Sequence, residues 1–261
     1  MKKYLYALTL GLGLLSCQPS SEATSEPSKA QRIVDQAIAA HGGEALEQAH
    51  LSFDFRKKHY EVQLDGGQFV YESHGEDSIG LVHDVLTNQE FSRSVDGEPL
   101  TLSQKDRDAY RNSLNSVVYF VLLPSPLNDP AVNKEYIGET SLKGEPYHKI
   151  RVTFREEGGG DDFDDEYVYW IHRERYTMDY LSYSFHVNEG GTRFREAYNV
   201  RTVQGIRFAD YVNYESTVED VALENYDQLF EAGKVEEISR IETRNIRVQP
   251  ESERVSHQYS H

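Results

Sequence analysis

The spacing of apolar residues changes along the chain from a helical period to a period of two. Between residues 28 and 42, apolar residues recur every three or four positions. Ser28 is suited to cap the beginning of a helix there, and Gly42 is suited to end it. The following segments alternate between apolar and polar residues, which is typical of strands with one buried face. The alternating apolar residues are Leu51, Phe53, Phe55, Tyr60, Val62, Leu64, Phe69 and Tyr71.

Short turns that contain glycine separate the alternating segments. They fall at residues 65–67, 96–97, 143–144, 189–191 and 204–205. Tight turns of this kind join antiparallel neighbours, whereas parallel strands need a long crossover. Strands and helices do not alternate regularly along the chain, so neither a parallel sheet nor a barrel of the βα type is expected.

Two further stretches have helical character. The segment from 103 to about 122 is amphipathic and is followed by Pro124 and Pro126, and the segment 218–234 ends at Gly233. Residues 117–123 are apolar on nearly all sides, which requires burial on more than one side. The pattern predicts a mainly β (α+β) domain with a large curved antiparallel sheet, or an unclosed β-barrel. Helices are expected to pack over its concave face.

The N-terminus has the features of an export signal. Lys2 and Lys3 precede about a dozen mostly apolar residues, and Leu14-Leu15-Ser16 leads to Cys17. The apolar run is too short for a stable membrane span. It resembles a bacterial lipobox, which implies that Cys17 carries a lipid and that residues 1–16 are removed. Cys17 is the single cysteine, so the chain has no intrachain disulfide.

Composition divides the remainder of the chain. Residues 17–29 are polar and contain two prolines, which predicts a flexible tether behind the lipidated cysteine. Residues 30–250 are expected to form one half-barrel domain, and 251–261 a polar tail.

The formal charge is −17, and loss of Lys2 and Lys3 makes it −19. Such a charge disfavours nucleic acid as a partner. Acylation would make the lipid bilayer a partner, and the absence of Asp after Cys17 favours the outer membrane, on the periplasmic side.

Four blocks of sequence carry a resemblance to a known family. They are LNSVVYFVLLPSPLNDPAV, VTFREEGGGDDFDDEYVYWI, GGTRFREAYNVR and GIRFADYVNY. They resemble blocks of an uncharacterised family of Bacteroidota lipoproteins along essentially the whole mature chain. The expected architecture is similar to that of the LolA/LolB lipoprotein carriers, an unclosed β-barrel with a helical lid over an apolar cavity. This implies a carrier or ligand-binding role and transfers no catalytic residue.

The aromatic strands supply candidate residues for an apolar cavity. In residues 180–187, Leu181, Tyr183 and Phe185 share one face, and in residues 193–201, Arg195 and Asn199 share one face. Either face of each strand can border a cavity, and the same tyrosines can instead complete the core. The candidate ligand-binding residues are Val117, Phe120, Val121, Trp170, Tyr183, Phe185, Arg195 and Asn199.

The segment REEGGGDDFDDEYVYWIHR, residues 155–173, has three interpretations. Asp161, Asp162, Asp164 and Asp165 offer hard oxygen ligands of the kind that calcium requires. An EF-hand is excluded, because Glu166 and His172 stand where that loop needs glycine and glutamate. The segment can equally be a polar hairpin whose glycines supply positive φ, or a catalytic loop.

Three functions remain open at this point. The first is an anchored protein that binds an apolar or amphiphilic ligand, such as a lipid or an acyl chain, with no cofactor and no catalytic residue. The second is a hydrolase acting on a periplasmic lipid or glycan, although the motifs G-x-S-x-G, HExxH and CxxC are absent. The third is a surface assembly or adhesion module stabilised by calcium.

Overall fold

The computed structural model describes residues 26–157, 164–185 and 190–249. These residues form two seven-stranded sheets in which all neighbours are antiparallel. The first sheet has the order β14-β1-β2-β3-β4-β5-β6, with β1 His50–Phe55, β2 Lys58–Asp65, β3 Gln68–Asp77, β4 Gly80–Thr87, β5 Phe91–Val95, β6 Glu98–Pro99 and β14 Thr243–Gln249. The second runs in chain order, with β7 Val132–Leu142, β8 Glu145–Phe154, β9 Tyr167–His172, β10 Met178–Phe185, β11 Gly191–Val203, β12 Ile206–Ser216 and β13 Val235–Ile241.

The prediction of a mainly β, antiparallel and unclosed fold is confirmed, with one difference. The strands form two sheets instead of one large curved sheet, and the chain passes between them at Glu242. Asp210 holds this corner, because its carboxylate accepts the backbone N–H of Thr243 at 3.0 Å. Arg201 bonds both Asp210 and the hydroxyl of Thr243. The last strand can therefore leave the second sheet and pair with β1.

Two of the predicted helices form where the sequence places them. Helix α1 spans Lys29–Ala40, and the hydroxyl of Ser28 accepts the N–H of Gln31. A short helix, α2, follows at Glu44–Glu47. Helix α3 spans Gln104–Leu122, and Ser103 caps it in the same way as Ser28 caps α1. A 3-10 turn at Ser125–Asn128 follows α3.

Helix α3 lies between the two sheets. Leu114, Val118 and Leu122 are buried against the first sheet, in a cluster that includes Leu51 and Phe53. Tyr119 and Phe120 pack instead against the second sheet, in the cluster that also receives α1. The apolar character of residues 117–123 on nearly all sides is explained by this position, because both sides of the helix meet a sheet.

The prediction of a long helix over residues 218–234 is wrong. The chain there bends, forms a 3-10 turn at Leu223–Asn225 and then a short helix, α4, at Tyr226–Glu231. Asp220 has a φ of 53°, which a right-handed helix does not accommodate. This segment covers the face of the second sheet that points away from α3, where Leu223 and Tyr226 pack with Trp170 and Phe194. None of the helices in the described ranges is long and apolar enough to cross a membrane.

A buried histidine joins the end of α1 to the second sheet. The ring of His41 contacts the carbonyl of Ala37 at 2.8 Å through Nδ1, and the guanidinium of Arg207 lies 3.0 Å from Nε2. The same guanidinium donates to Asp179 at 2.8 Å. Burial and the charge of Arg207 lower the pKa of His41 to about 4. The folded protein therefore holds this ring neutral.

We expect this ring to make the fold sensitive to mild acid. Below pH 6.5 the unfolded chain binds a proton at His41 that the folded chain does not bind until about pH 4. The free energy of unfolding should therefore decrease as the pH falls through this interval, by up to about 3 kcal/mol. Urea unfolding of the parent and of His41→Gln at pH 7, 5.5 and 4 measures the effect. A variant with the same pH dependence as the parent would contradict it.

Candidate functional site

The space between the sheets is divided by α3 into an open cleft and a smaller pocket. On one side of the helix, two adjoining clefts of about 680 and 650 Å³ share Asn115, Tyr119 and Phe154. On the other side lies a pocket of about 270 Å³. Sites for small molecules usually measure about 300–1,000 Å³, so the pocket suits a small ligand or part of a larger one.

The pocket is built by one side of α3 and by strands of both sheets. The helix contributes residues spaced three and four apart, which therefore share one side. They are Ser113, Ser116, Val117, Phe120 and Val121. The remaining lining residues come from the end of β1 and from β11 to β14: Phe55, Arg56, Arg195, Phe208, Ala209, Tyr211, Ile241 and Thr243.

Arg195 is the unusual member of this lining. The residue is 8% exposed, and its guanidinium donates one hydrogen bond to the hydroxyl of Tyr183 at 2.7 Å. Its Nε has no hydrogen-bond partner, and in the described part of the chain it makes no ion pair. Burial of an unpaired charge is costly. One N–H group of this guanidinium is thus buried beside the pocket without a hydrogen-bond partner.

Aromatic rings offset part of the cost of burying Arg195. The guanidinium carbon lies 4.1 Å from the ring centre of Phe120 and 4.8 Å from that of Tyr183. Such contacts with ring faces stabilise a cation by about 0.5–2 kcal/mol. Burial raises the pKa of Tyr211 to about 12 and raises that of Tyr167 well above its usual value. These phenols stay neutral and supply no negative charge to Arg195.

Arg193, two residues earlier on the same strand, is a useful comparison. Its guanidinium pairs with Glu215 at 3.2 Å and lies over the ring of Phe185. Arg56, by contrast, is exposed and lines the pocket at the turn between β1 and β2. The described lining of the pocket thus contains two arginines and no carboxylate, although the protein as a whole has a formal charge of −17.

Five of the sequence-predicted residues lie at the pocket or in contact with its lining. Val117, Phe120, Val121 and Arg195 line it, and Tyr183 bonds Arg195. Phe185 lies further along β10, with its ring centre 6.1 Å from that of Tyr183. It is outside the lining.

Two predicted residues lie elsewhere, and for them the expectation of a place at the pocket is wrong. Trp170 packs edge to face against Phe194 in the cluster under α4, on the other face of the second sheet. Its neighbour Tyr169 faces α3, and successive strand residues point to opposite faces. Asn199 is exposed at a bulge and donates to Asp210 at 2.6 Å. The fluorescence of Trp170 is thus not expected to report on this pocket.

The calcium interpretation of the acidic segment stays a prediction. Asp161 and Asp162 lie outside the described residues. Asp164 is exposed and Asp165 half-buried, just before β9. Neither belongs to the group of one Glu and two His side chains on the first sheet, which in the described residues lie close enough together to hold an ion.

Several lining residues were missed by the sequence reasoning. Phe208, Tyr211, Ile241 and Thr243 belong to strands that were recognised only as alternating segments. The alternation marks these residues as members of strands and gives no further signal. What the pattern lacks is the information that β11 to β14 meet α3.

Comparison with known proteins identifies the family and the fold. The chain belongs to the Family of unknown function (DUF6503), whose model matches residues 3–243. No curated protein matches the sequence. The solved structure of a LolA superfamily protein from Nitrosomonas europaea has a TM-score of 0.52 at 9% identity, covering 88% of this chain and 97% of that one. The fold of this chain is thus similar to that of a LolA superfamily protein, which confirms the expected mainly β, unclosed architecture.

Two further structures are similar at lower scores. One is a DUF1329 family protein from Desulfovibrio piger, with a TM-score of 0.46, 8% identity, and coverage of 85% of this chain and 94% of that one. The other is a candidate outer membrane lipoprotein-sorting protein domain from Vibrio parahaemolyticus, with a TM-score of 0.47 and 8% identity. The alignment covers 87% of this chain and 96% of that domain.

The contact between Arg195 and Tyr183 predicts a stability effect. Tyr183→Phe removes the hydroxyl that accepts from a buried guanidinium, so it should lower the free energy of unfolding by about 1–3 kcal/mol. The matched control is Tyr136→Phe, which removes a hydroxyl bonded to the exposed Glu139. It should cost less than about 1 kcal/mol. Equal losses in urea unfolding would show that the Arg195 contact has no special weight.

Proposed function

We propose that this protein binds an amphiphile with an anionic head group in the pocket beside α3. The head group would pair with Arg195, and the apolar part would lie against α3 and β12. The observation that carries the proposal is a buried guanidinium that borders a pocket, has no carboxylate partner in the described residues, and has an unpartnered Nε.

The charge of the lining favours an anion. A carboxylate or phosphate can accept two parallel hydrogen bonds from a guanidinium, which is the strongest arrangement available to arginine. At Arg195 such a group would offset the cost of the buried charge. Arg56 adds a second positive charge at an exposed position on the same lining. The acidic surface elsewhere would not compete, because its carboxylates lie outside the pocket.

The apolar lining favours a ligand with a hydrocarbon part. Val117, Val121, Phe208 and Ile241 present carbon atoms to the pocket. Each methylene removed from water contributes about 0.8 kcal/mol, and association costs at least about 4 kcal/mol. A chain of several methylenes is therefore needed in addition to the head group. A medium-chain fatty acid has both parts, and so does the end of a larger lipid.

The N-terminus completes the proposal. Lipidation at Cys17 would hold the domain at a membrane through the tether of residues 18–29, while its body stays in water. We infer an envelope protein on the periplasmic side of the outer membrane, for which the absence of Asp after Cys17 is the supporting feature. A domain anchored at the outer membrane in this way would hold the pocket close to lipid. The LolA-type architecture fits such a role.

The charge of Arg195 should decide which amphiphile binds. In a soluble chain that starts at residue 18, Arg195→Met should weaken binding of decanoate by about 10- to 100-fold, because a charged hydrogen bond is lost. Binding of the neutral decanol should change little. Arg193→Met is the matched control and should leave both unchanged, since its partner is Glu215. Displacement of the neutral dye Nile red measures all of these affinities.

Two results would contradict the proposal. If Arg195→Met weakened the acid and the alcohol equally, Arg195 would only shape the pocket. If the folded parent bound neither decanoate nor Nile red, the pocket would not be a site for amphiphiles at all.

The anchor is tested separately in cells. Cys17→Ser should abolish incorporation of labelled fatty acid and move the protein out of the membrane fraction or leave it unprocessed, because no other residue can form the thioether. Unchanged labelling and fractionation would refute the anchor without affecting the ligand proposal.

A further inference from the structure

The outer face of the first sheet carries a row of histidines. His59, His74 and His83 occupy directly paired positions on β2, β3 and β4. Paired residues in antiparallel strands point to the same face. Their chain neighbours Tyr60 and Ser73 are buried on the side of α3, so the histidines point away from the pocket. Glu72 lies two residues before His74 and shares this outer face.

Three of these side chains converge. The Nε2 atom of His83 lies 2.8 Å from Oε2 of Glu72, and Nε2 of His74 lies 3.9 Å from the same oxygen. The ligand atoms of all three lie within 4.8 Å of one another. The rings of His74 and His83 are nearly parallel, with centres 4.2 Å apart. This arrangement follows from the pairing of the strands, since opposite residues in such a pair bring their Cβ atoms to about 5 Å.

From this geometry we propose that Glu72, His74 and His83 bind a divalent transition-metal ion of the zinc class. Imidazole and carboxylate are ligands that Zn²⁺, Co²⁺, Ni²⁺ and Cu²⁺ accept. Metal–ligand bonds of about 2.0–2.2 Å place the ligands of a tetrahedral ion roughly 3.3–3.6 Å apart. Two of the separations are 2.8 and 3.9 Å and all three ligand atoms lie within 4.8 Å of one another, so side-chain rotations can bring them to this spacing.

The proposed site is accessible to solvent and offers three protein ligands, as expected of an open metal site. The side chains are 43% exposed for His74, 36% for His83 and 22% for Glu72. An ion reaches them without any opening of the fold. Three protein ligands leave a fourth position for water or an external group, unlike the four ligands of a closed structural site. Calcium is a poor fit, because it requires six to eight oxygens.

Neighbouring carboxylates favour a cation at this place. Glu61 pairs with Glu72 across β2 and β3, and its carboxylate lies 3.9 Å from Nε2 of His59. Asp54 contacts the other ring nitrogen of His59 at 2.6 Å. His59 is thereby oriented beside the three ligands. A bound ion would neutralise part of this negative charge.

The test uses the full chain, purified in a non-ionic detergent without a histidine tag. Titration calorimetry with Zn²⁺ should show one saturable site, and Ca²⁺ at the same concentrations should give no such signal. Co²⁺ should give visible absorption bands typical of a four-coordinate ion with nitrogen and oxygen ligands. His74→Gln and His83→Gln should each weaken Zn²⁺ binding by about 10-fold or more, because one of three protein ligands is lost.

The matched control is His50→Gln. His50 lies on β1 of the same sheet, opposite Gln63, and is not part of the cluster. It should leave the affinity for Zn²⁺ unchanged, and circular dichroism should show all variants folded. Absence of saturable Zn²⁺ binding by the parent would overturn the proposal. So would a His50→Gln variant that loses as much affinity as His74→Gln. Because the cluster lies on the other face of the sheet from the pocket, these results are independent of ligand binding there.

Discussion

The structure depends on the burial of α3 on two sides. A helix whose last two turns are apolar nearly all round cannot lie on one sheet with its other side in water. Here Leu114, Val118 and Leu122 meet the first sheet, while Phe120 meets the second. The helix therefore holds the sheets apart. The pocket exists because Val117 and Val121, on the side between these contacts, are not fully covered by either sheet.

The partners of the buried charged residues show that the surroundings of Arg195 are unusual. Asp84 receives two hydrogen bonds from Arg93, and Lys149 pairs with Asp227 under α4. These pairs fit the general rule that buried charges are neutralised locally. Arg195 has an aromatic surround and one phenolic hydroxyl in place of a carboxylate. These other buried charges are paired within the described residues, so Arg195 is the one that the proposed anionic head group would pair.

The two sheets differ in what covers their outer faces. Behind the second sheet, Leu223, Tyr226 and Phe230 pack in the cluster of Trp170, so the middle of this sheet, at β9, is buried on both faces. The first sheet has no such layer in the described residues, and its outer face carries the histidines and carboxylates of β2 to β4. The proposed ligand pocket and the proposed cation site thus lie on opposite sides of the first sheet.

The sequence by itself determined the alternating strands between residues 51 and 71, the turns at 65–67, 96–97, 143–144 and 204–205, and two helices, because period, glycine and serine caps act over a few residues. It also placed Phe120 and Arg195 among the pocket candidates. Pairing of the strands across turns at 66–67 and 78–79 would have predicted that His59, His74 and His83 lie side by side. Only the tertiary structure decided the face of Trp170. All six residues of β9 are buried, so alternation carries no information there. The bulge at Asn199 and the meeting of β11 to β14 with α3 likewise depend on contacts between distant segments, which no local pattern encodes.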